Sequence, residues 1–516
     1  MTKRATASVR RHDPAPVRGL SAAQFRRVCE NGFGDGHNSF PHSIAWYQDH
    51  LYVGTTRSNF QMAKIQTTFR TLPVYLWPVE GPDDQEGLYR DLDRRAQVWR
   101  YDPRGDRWDQ VMVAPMVEGT RGEEVARETG HRAMVVYQGE SDTKPVLYTA
   151  TWAVSRSPGA LLLRSEDGEN FEPVSPYGII EGMPITATRV LVPFKDRLFT
   201  SPTGTRGHDV KFVINVSGAP VIYESRDPAS GKWRASCWPG FADPENKGVF
   251  MLCPFNDQLY AGTFNNNGFQ VWRSACDGNP PYKWTRVIER GAYRGALNQA
   301  VVSMCAFDGA LYVGSGIQNG GHDLNNKIGP AGSELIRIHP DDSWDLIIGT
   351  TRETPAGRKA PLSGLAAGFG NIFNGYFWSM AEHDGWLYMG TNDSIVWMRF
   401  LSIDAYDPNV RRVIEGVGVD RILEMEGGCD LWRSADGENW MPVTRTGFDN
   451  VYNLGVRNLA STPCGLFAAM ANPFGPRVAS PGEGKWGYVD NPRGGLEIWR
   501  GEAGGRPGAG AVETLG

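Results

Sequence analysis

Seven short apolar phrases, each beginning with Leu-Tyr or Leu-Phe, recur along the chain. These phrases, called LY phrases below, begin at Leu51, Leu147, Leu198, Leu259, Leu311, Leu387 and Leu466. A second apolar stretch precedes most of them, and a turn containing Gly or Asp joins the two stretches. Apolar stretches of strand length that are bounded by turn residues predict an antiparallel β-hairpin at each LY phrase.

A second strand pair follows the LY phrases and is clearest in the segments that begin at Gln97, Leu161, Phe269 and Asp430. In each segment an apolar strand ends in Trp-Arg or Leu-Arg, turns through Asp and Gly, and continues into a strand that opens with Trp or Phe. Gly adopts the positive φ that such a turn requires, and the Asp carboxylate accepts backbone amides. Each repeat is therefore predicted to contain four antiparallel strands.

An asparagine stands thirteen residues before the LY phrase in five of the repeats. These residues are Asn38, Asn246, Asn298, Asn374 and Asn453. Asn tolerates left-handed backbone conformations and hydrogen-bonds nearby backbone. The regular spacing favours a structural turn residue over a ligand-binding one.

Radial repetition of four-stranded units is the β-propeller architecture. The last repeat lacks its fourth strand, and residues 25–35 near the N-terminus match residues 440–450 in their aromatic, Val, Gly and Phe positions. We therefore predict an all-β, seven-bladed β-propeller of four-stranded antiparallel blades, closed by an N-terminal strand at about residues 25–28 that pairs in the last blade. The predicted domain covers residues 20–501, with blades beginning near 38, 128, 186, 246, 298, 374 and 453, and with tails at 1–19 and 502–516.

The segments SEDGENF (165–171) and SADGENW (434–440) resemble the Asp-box hairpins of sialidase-like propellers. They are one residue shorter between the Asp and the aromatic residue than the usual pattern. The resemblance implies that Asp167 and Asp436 stabilise turns on the outer rim of the propeller. A sialidase is disfavoured because the Arg-Ile-Pro motif of that family is missing from the sequence.

The composition narrows the class of protein. The chain has 516 residues, 41% of them hydrophobic, and a net charge of -5. It therefore lacks the basic footprint of a nucleic-acid-binding protein, and no apolar run reaches the roughly 18 residues of a membrane span. Seven scattered cysteines and a basic N-terminus without an apolar signal region predict a soluble, cytoplasmic protein, or a secreted one if a leader is missing.

The strand order predicts that all the long insertions emerge on one face of the propeller. They occupy residues 57–96, 207–218, 316–333, 395–428 and 472–494, between the second and third strands of their repeats. Long loops in a compact fold are usually functional. The insertion 395–428 is predicted to serve either as a lid or as an oligomerisation element.

Candidate site residues come from the position nine residues before each LY phrase, allowing for an insertion in the second repeat. They are His42, Arg132, Arg189, Phe250, Val302, Trp378 and Arg457. Guanidinium groups bind carboxylate, sulfate or phosphate with two parallel hydrogen bonds. We expect Arg132, Arg189, Trp378 and Arg457 to bind an anionic ligand near the propeller axis, with His42 or His131 as the proton-transfer residue if chemistry occurs.

Two classes of function follow from these residues. The protein is predicted to bind a small molecule or glycan, or a protein partner, on its elaborated face. The alternative is a lyase or hydrolase with His and Tyr as acid and base and Arg as the anion-binding group. The sequence carries no motif for a nucleotide cofactor, and no metal ligands are assigned. A central Ca²⁺ or Mg²⁺ held by Asn oxygens remains an option.

Overall fold

The structure is a computed structural model and describes residues 19–503 except 67–68, 70, 154–155, 206–219 and 407. Most of the two predicted tails and the whole predicted insertion 207–218 lie outside these residues. Strands dominate the regular structure of the described chain, as predicted, and its helices are short. In the described part, no helix is long and apolar enough to cross a membrane.

The strands are numbered in the order in which they follow one another along the chain. They are β1 (Phe25–Cys29), β2 (Asn38–Tyr47), β3 (His50–Arg57), β4 (Gln97–Asp102), β5 (Arg107–Val113), β6 (Met116–Glu118), β7 (Glu124–Ala126), β8 (Gly130–Tyr137), β9 (Val146–Trp152), β10 (Leu162–Ser165), β11 (Glu172–Pro173), β12 (Ile185–Phe194), β13 (Arg197–Thr205), β14 (Tyr223–Ser225), β15 (Arg234–Ala235), β16 (Asn246–Phe255), β17 (Gln258–Asn265), β18 (Val271–Ser274), β19 (Thr285–Ile288), β20 (Ala300–Phe307), β21 (Ala310–Gly316), β22 (Leu335–Ile338), β23 (Trp344–Ile348), β24 (Arg352–Thr354), β25 (Gly357–Lys359), β26 (Asn374–His383), β27 (Trp386–Asp393), β28 (Leu431–Ser434), β29 (Trp440–Thr444), β30 (Gly455–Thr462), β31 (Gly465–Ala471), β32 (Arg477–Pro481), β33 (Trp486–Asp490) and β34 (Glu497–Gly501).

The helical segments lie in linkers and insertions. The α-helical ones are Asn31–Gly34, Asn59–Ile65, Gln85–Arg90, Arg290–Tyr293, Gln318–Gly321, Pro408–Val417 and Val419–Glu426. The 3-10 turns are Ala22–Gln24, Pro228–Ser230, Pro239–Ala242, Gly295–Asn298, Ala367–Gly370, Ile395–Arg399 and Ile403–Ala405.

Antiparallel pairing joins consecutive strands into groups of four, which we call units. Unit 1 is β2–β5, unit 2 is β8–β11, unit 3 is β12–β15, unit 4 is β16–β19, unit 5 is β20–β23 and unit 6 is β26–β29. Unit 7 contains β30, β31 and β34, and its fourth strand is β1, with Phe25 opposite Gly501. Units 1–3 form one extended sheet and units 4–7 another.

The hydrophobic core lies between neighbouring units. The Leu and Tyr of the LY phrases are almost fully buried, for example Leu51 and Tyr52. Val53 of unit 1 clusters with Phe467 and Ile498 of unit 7. Each unit therefore buries one face against the unit before it and the other against the unit after it, which is the packing that repeat proteins require.

The repeated asparagines are structural, as their spacing predicts. The side-chain amide of Asn38 donates to the carbonyl of Gly32 and to Gln97 Oε1, both at 2.9 Å. Asn453 makes the same pair of bonds, to the carbonyl of Gly447 and to Glu497. Each asparagine thus ties the linker before its unit to the third strand of that unit.

The Asp residues of the two Asp-box-like segments stabilise tight turns. Asp167 Oδ1 accepts the backbone N–H groups of Glu169 and Asn170 at 2.9 and 2.8 Å, and Asp436 accepts the equivalent pair. These bonds hold the pKa of each carboxyl below its usual value, although burial partly opposes the effect at Asp436. Both residues are therefore committed to turn structure.

The insertions of units 1, 6 and 7 pack together, as the strand order predicts for insertions on one face. The backbone N–H of Tyr75 donates to Phe400 at 2.9 Å, and Val79 forms a β-bridge with Val478. Trp77 and Phe474 lie in the hydrophobic cluster that joins the three insertions. We call this assembly the cap.

The described part of insertion 395–428 forms helices. Its two longest helices are Pro408–Val417 and Val419–Glu426, and Val413 and Met425 on them are more than half exposed. A role of this insertion in oligomerisation stays a prediction.

Candidate functional site

A cavity of about 210 Å³ lies between the first strands of the units and the cap. Its walls come from all seven units, and its roof comes from the insertions of units 1, 5 and 6. The lining residues that the argument uses are Phe40, His42, Phe60, Arg132, Trp152, Arg189, Phe250, Val302, Gln318, Tyr376, Trp378, Asn392, Trp397 and Arg457.

A β-bulge in each first strand directs side chains into this cavity. In β2, Pro41 pairs with Thr55 and Ser43 pairs with Gly54, so His42 has no partner on the neighbouring strand. The same irregularity recurs in the other six first strands. A bulge bends a strand and changes the direction of the extra side chain, which is why bulges are frequent next to binding sites.

The bulges hold the residues that the repeat alignment predicts as equivalent positions. His42, Arg132, Arg189, Phe250, Val302, Trp378 and Arg457 all lie in bulges and all line the cavity. The bulge of β12 is one residue longer and also contains Val190. The structure thus brings together every predicted candidate except His131.

Each arginine of the cavity lies over an aromatic ring. The guanidinium of Arg189 is 4.4 Å from the ring centre of Phe250, and that of Arg457 is 5.2 Å from Trp378. Arg132 is 5.6 Å from Trp152. Stacking covers one face of a guanidinium group, so the N–H edges of Arg189 and Arg457 can point at an anion.

The described lining contains cationic side chains but no carboxylate. Within the described part of the chain, Arg189 and Arg457 have neither an ion pair nor a hydrogen bond. Burial lowers the pKa of Arg189 to about 10. Burial and the nearby charge of Arg189 lower the pKa of Arg457 to about 9. Two cations therefore face the same cavity without a counter-ion among the described residues.

His42 is a neutral imidazole in this setting. It is 7% exposed, and its Nδ1 forms a hydrogen bond with the hydroxyl of Thr56. Burial lowers its pKa well below the usual value, and the charges of Arg457, Arg132 and Arg189 lower it further. A neutral imidazole can accept a proton from a ligand but has no charge with which to bind an anion.

Tyr376 is a cavity residue that the sequence analysis missed. Its hydroxyl accepts the backbone N–H of Gly320 at 3.2 Å. Burial raises its pKa, while the charges of Arg189 and Arg457 act in the opposite direction. It stands eleven residues before its LY phrase, where Phe40 is the equivalent in unit 1. A comparison of the repeats at this position would have identified both Tyr376 and Phe40.

The roof residues carry no signal in the sequence. Phe60, Gln318 and Trp397 reach the cavity from insertions that differ in length and composition between repeats. The alignment of repeats that locates the bulge residues does not extend to these insertions. Only the folded structure shows that these insertions approach the cavity.

His131 does not line the cavity, because it precedes the bulge and points to the other face of β8. It is fully buried against Gly54, whose lack of a side chain makes room for it. Neither ring nitrogen has a hydrogen-bond partner in the described structure. Burial lowers its pKa to about 3, and the charge of Arg127 contributes. Its environment is that of a packing residue between units 1 and 2.

The described residues offer no cluster of His, Cys, Asp or Glu side chains for a metal ion. In that part of the chain, no three His, Cys, Asp or Glu side chains come together as metal ligands would. The Oδ1 atom of Asn38, a possible cation ligand from the sequence, accepts a hydrogen bond from Arg57 at 3.0 Å. We assign no metal or cofactor to the cavity.

Comparison with known proteins gives likenesses to solved structures only. No family model matches the sequence, and no curated protein matches it. The GH74 xyloglucanase from Xanthomonas campestris is similar with a TM-score of 0.43 and 14% identity, over 91% of this chain and 56% of that one. A puromycin-hydrolyzing peptidase from Mycobacterium tuberculosis has a TM-score of 0.41 and 13% identity, over 95% and 56%. This chain spans just over half the length of these two proteins.

Proposed function

We propose that the chain is a closed seven-bladed propeller in which each unit is one blade. Single β-bridges support this order by linking units 1 and 2, 2 and 3, 4 and 5, 5 and 6, and 6 and 7. The hydroxyl of Ser201 donates to the carbonyl of Val249 at 2.8 Å, between units 3 and 4. The amide of Asn458 donates to the carbonyl of Pro41 at 2.6 Å, between units 7 and 1.

The function that we infer for this propeller is the binding of a small anionic molecule in the axial cavity. The observation that carries the inference is the pair Arg189 and Arg457, which face a cavity whose described lining has no carboxylate. An isolated cation in a cavity costs several kcal/mol unless an anion pairs with it. A bound carboxylate, sulfate or phosphate group removes that cost.

The shape of the cavity favours a small molecule over a glycan polymer or a protein. Residues of the helix Asn59–Ile65 and Trp397 line the cavity together with the bulge residues, which narrows it to about 210 Å³. A protein partner requires an open, shallow surface. The aromatic rings and guanidinium edges together suit a ligand with an apolar body and an anionic group.

The test is the double variant Arg189→Met, Arg457→Met. Met preserves the packing of the side-chain stem against Phe250 and Trp378 while removing both charges. We expect low concentrations of inorganic sulfate to raise the melting temperature of the wild-type protein by more than they raise that of the double variant, since the general stabilising effect of sulfate is the same for both proteins. Circular dichroism checks that the fold of the variant is unchanged. Equal stabilisation of both proteins by sulfate would show that the proposed anion site is wrong.

A second candidate function is that of a proton-transfer enzyme, in the lyase or hydrolase class. It is favoured by the presence of a neutral imidazole, His42, and a phenol, Tyr376, in the same cavity as the arginines. A base and an acid beside an anion-binding group is the arrangement that such reactions need. The variants His42→Gln and Tyr376→Phe distinguish the functions, since an enzyme would keep anion binding and lose turnover in both.

A further inference from the structure

The two unpartnered arginines stand on nearly opposite sides of the proposed ring. Arg189 belongs to unit 3 and Arg457 to unit 7. In a closed ring of seven, two units lie between them on one side and three on the other. The two guanidinium groups lie over different rings, that of Arg189 over Phe250 of unit 4 and that of Arg457 over Trp378 of unit 6. Each guanidinium fork therefore offers its own position for an anionic group.

The walls between the two arginines differ on the two sides of the cavity. On one side lie His42 of unit 1 and Arg132 of unit 2. On the other side, units 4 and 5 contribute Phe250 and Val302, which belong with Tyr376 to one hydrophobic cluster. A ligand that reaches from Arg189 to Arg457 thus passes along an apolar wall.

The stacking of each arginine fixes its position. Arg189 is held by Phe250 and Arg457 by Trp378, and the second ring also contacts Tyr376 with a centroid distance of 5.6 Å. Side chains that are held in this way lose little entropy when an anion binds. The distance between the two anion positions is therefore set by the protein rather than by the ligand.

From this arrangement we propose that the ligand is a dianion with its two anionic groups at opposite ends of a short apolar body. This inference rests on the proposed function and names the class of ligand for the same site. Two carboxylate groups balance two cations, whereas a single carboxylate leaves one guanidinium group uncompensated in the cavity. Arg132 adds to the positive field, and the hydroxyl of Tyr376 offers a hydrogen bond to the ligand.

The experiment measures the affinity of the full-length protein for simple carboxylates by calorimetry. The probes are succinate, glutarate, adipate and pimelate, the monocarboxylates butyrate, pentanoate, hexanoate and heptanoate, and inorganic phosphate. We expect one of the dicarboxylates to bind at least about tenfold more tightly than the monocarboxylate of equal carbon number. Its second carboxylate forms a second charge-assisted pair, and such a pair is stronger than a hydrogen bond between neutral groups. We also expect affinity to pass through an optimum with chain length.

The single variants Arg189→Met and Arg457→Met sharpen the test. Each is expected to reduce the affinity for the best dicarboxylate about tenfold or more, and that for a monocarboxylate about twofold, since the remaining arginine still holds one group. Arg273→Met is the matched control, because Arg273 is ion-paired with Asp342 at 2.7 Å and is absent from the cavity lining. It should leave every affinity unchanged.

The outcomes separate this inference from the proposed function. If phosphate or a monocarboxylate binds as tightly as the best dicarboxylate, the ligand has one anionic group and the dianion inference is wrong, while the anion site stands. If no probe binds more tightly to the wild type than to the double arginine variant, the anion site itself is wrong.

Discussion

Removing an arginine from the cavity should stabilise the unliganded protein. The pKa of Arg189 is lowered from 12.5 to about 10, chiefly by burial. A difference of this size corresponds to about 3 kcal/mol of unfavourable free energy for the charged side chain. Arg189 is partly exposed to the cavity, which reduces the figure, and its contact with Phe250 is worth about 0.5–1 kcal/mol. Arg189→Met should therefore raise the free energy of unfolding by about 1–2 kcal/mol.

The assay compares melting temperatures of Arg189→Met and the wild type, with and without the best-binding dicarboxylate. Without the anion, the variant should melt at the higher temperature. With saturating dicarboxylate, the stability difference between the two proteins should narrow by at least about 1.4 kcal/mol, because the wild type binds the dicarboxylate about tenfold or more tightly than the variant. Higher stability together with weaker binding is the behaviour expected of a residue kept for function rather than for folding.

The control for this prediction is Arg273→Met, which removes a paired arginine and should not stabilise the protein. If Arg189→Met melts below the wild type in the absence of anions, Arg189 contributes to folding, and the reasoning about an uncompensated charge is refuted. An equal rise in the melting temperatures of the two proteins with the dicarboxylate would also refute this reasoning.

Two further predictions concern the framework. His131 has a folded-state pKa of about 3, against about 6.5 when unfolded, so the unfolded state binds the proton first and stability falls as the pH drops below about 6.5. His131→Phe should remove about 2 kcal/mol of the loss seen at about pH 5, and a variant with an unchanged pH dependence of unfolding would contradict this. Deletion of residues 1–28 removes most of β1 and exposes the edge of β34, so the truncated protein should melt well below the wild type and associate in light scattering; unchanged melting would refute closure by β1.

The repeat made part of this structure predictable from the sequence. The position nine residues before each LY phrase identifies Arg189 and Arg457 because the hairpin register recurs in every unit. It does not show that a bulge occurs there, which is what directs these side chains into the cavity. His131 illustrates the consequence: it precedes the bulge residue Arg132, and adjacent residues in a strand point to opposite faces.

The cap was not predictable in the same way. Phe60 and Trp397 occupy insertions without counterparts in other units, so no internal comparison identifies their positions. Their place over the cavity depends on packing among three insertions that are far apart in the sequence. Hydrophobic residues in such loops indicate ordered structure, but not which part of the molecule they cover.

The most direct test of the anion site is a crystal of the protein soaked in sodium bromide and measured at the bromine absorption edge. Bromide scatters anomalously, so its positions appear without assumptions about the natural ligand. The account predicts anomalous peaks inside the cavity, beside the guanidinium groups of Arg189 and Arg457, and no such peaks in the double Met variant. A cavity without bromide in the wild type, in crystals that show bromide elsewhere on the surface, would contradict it.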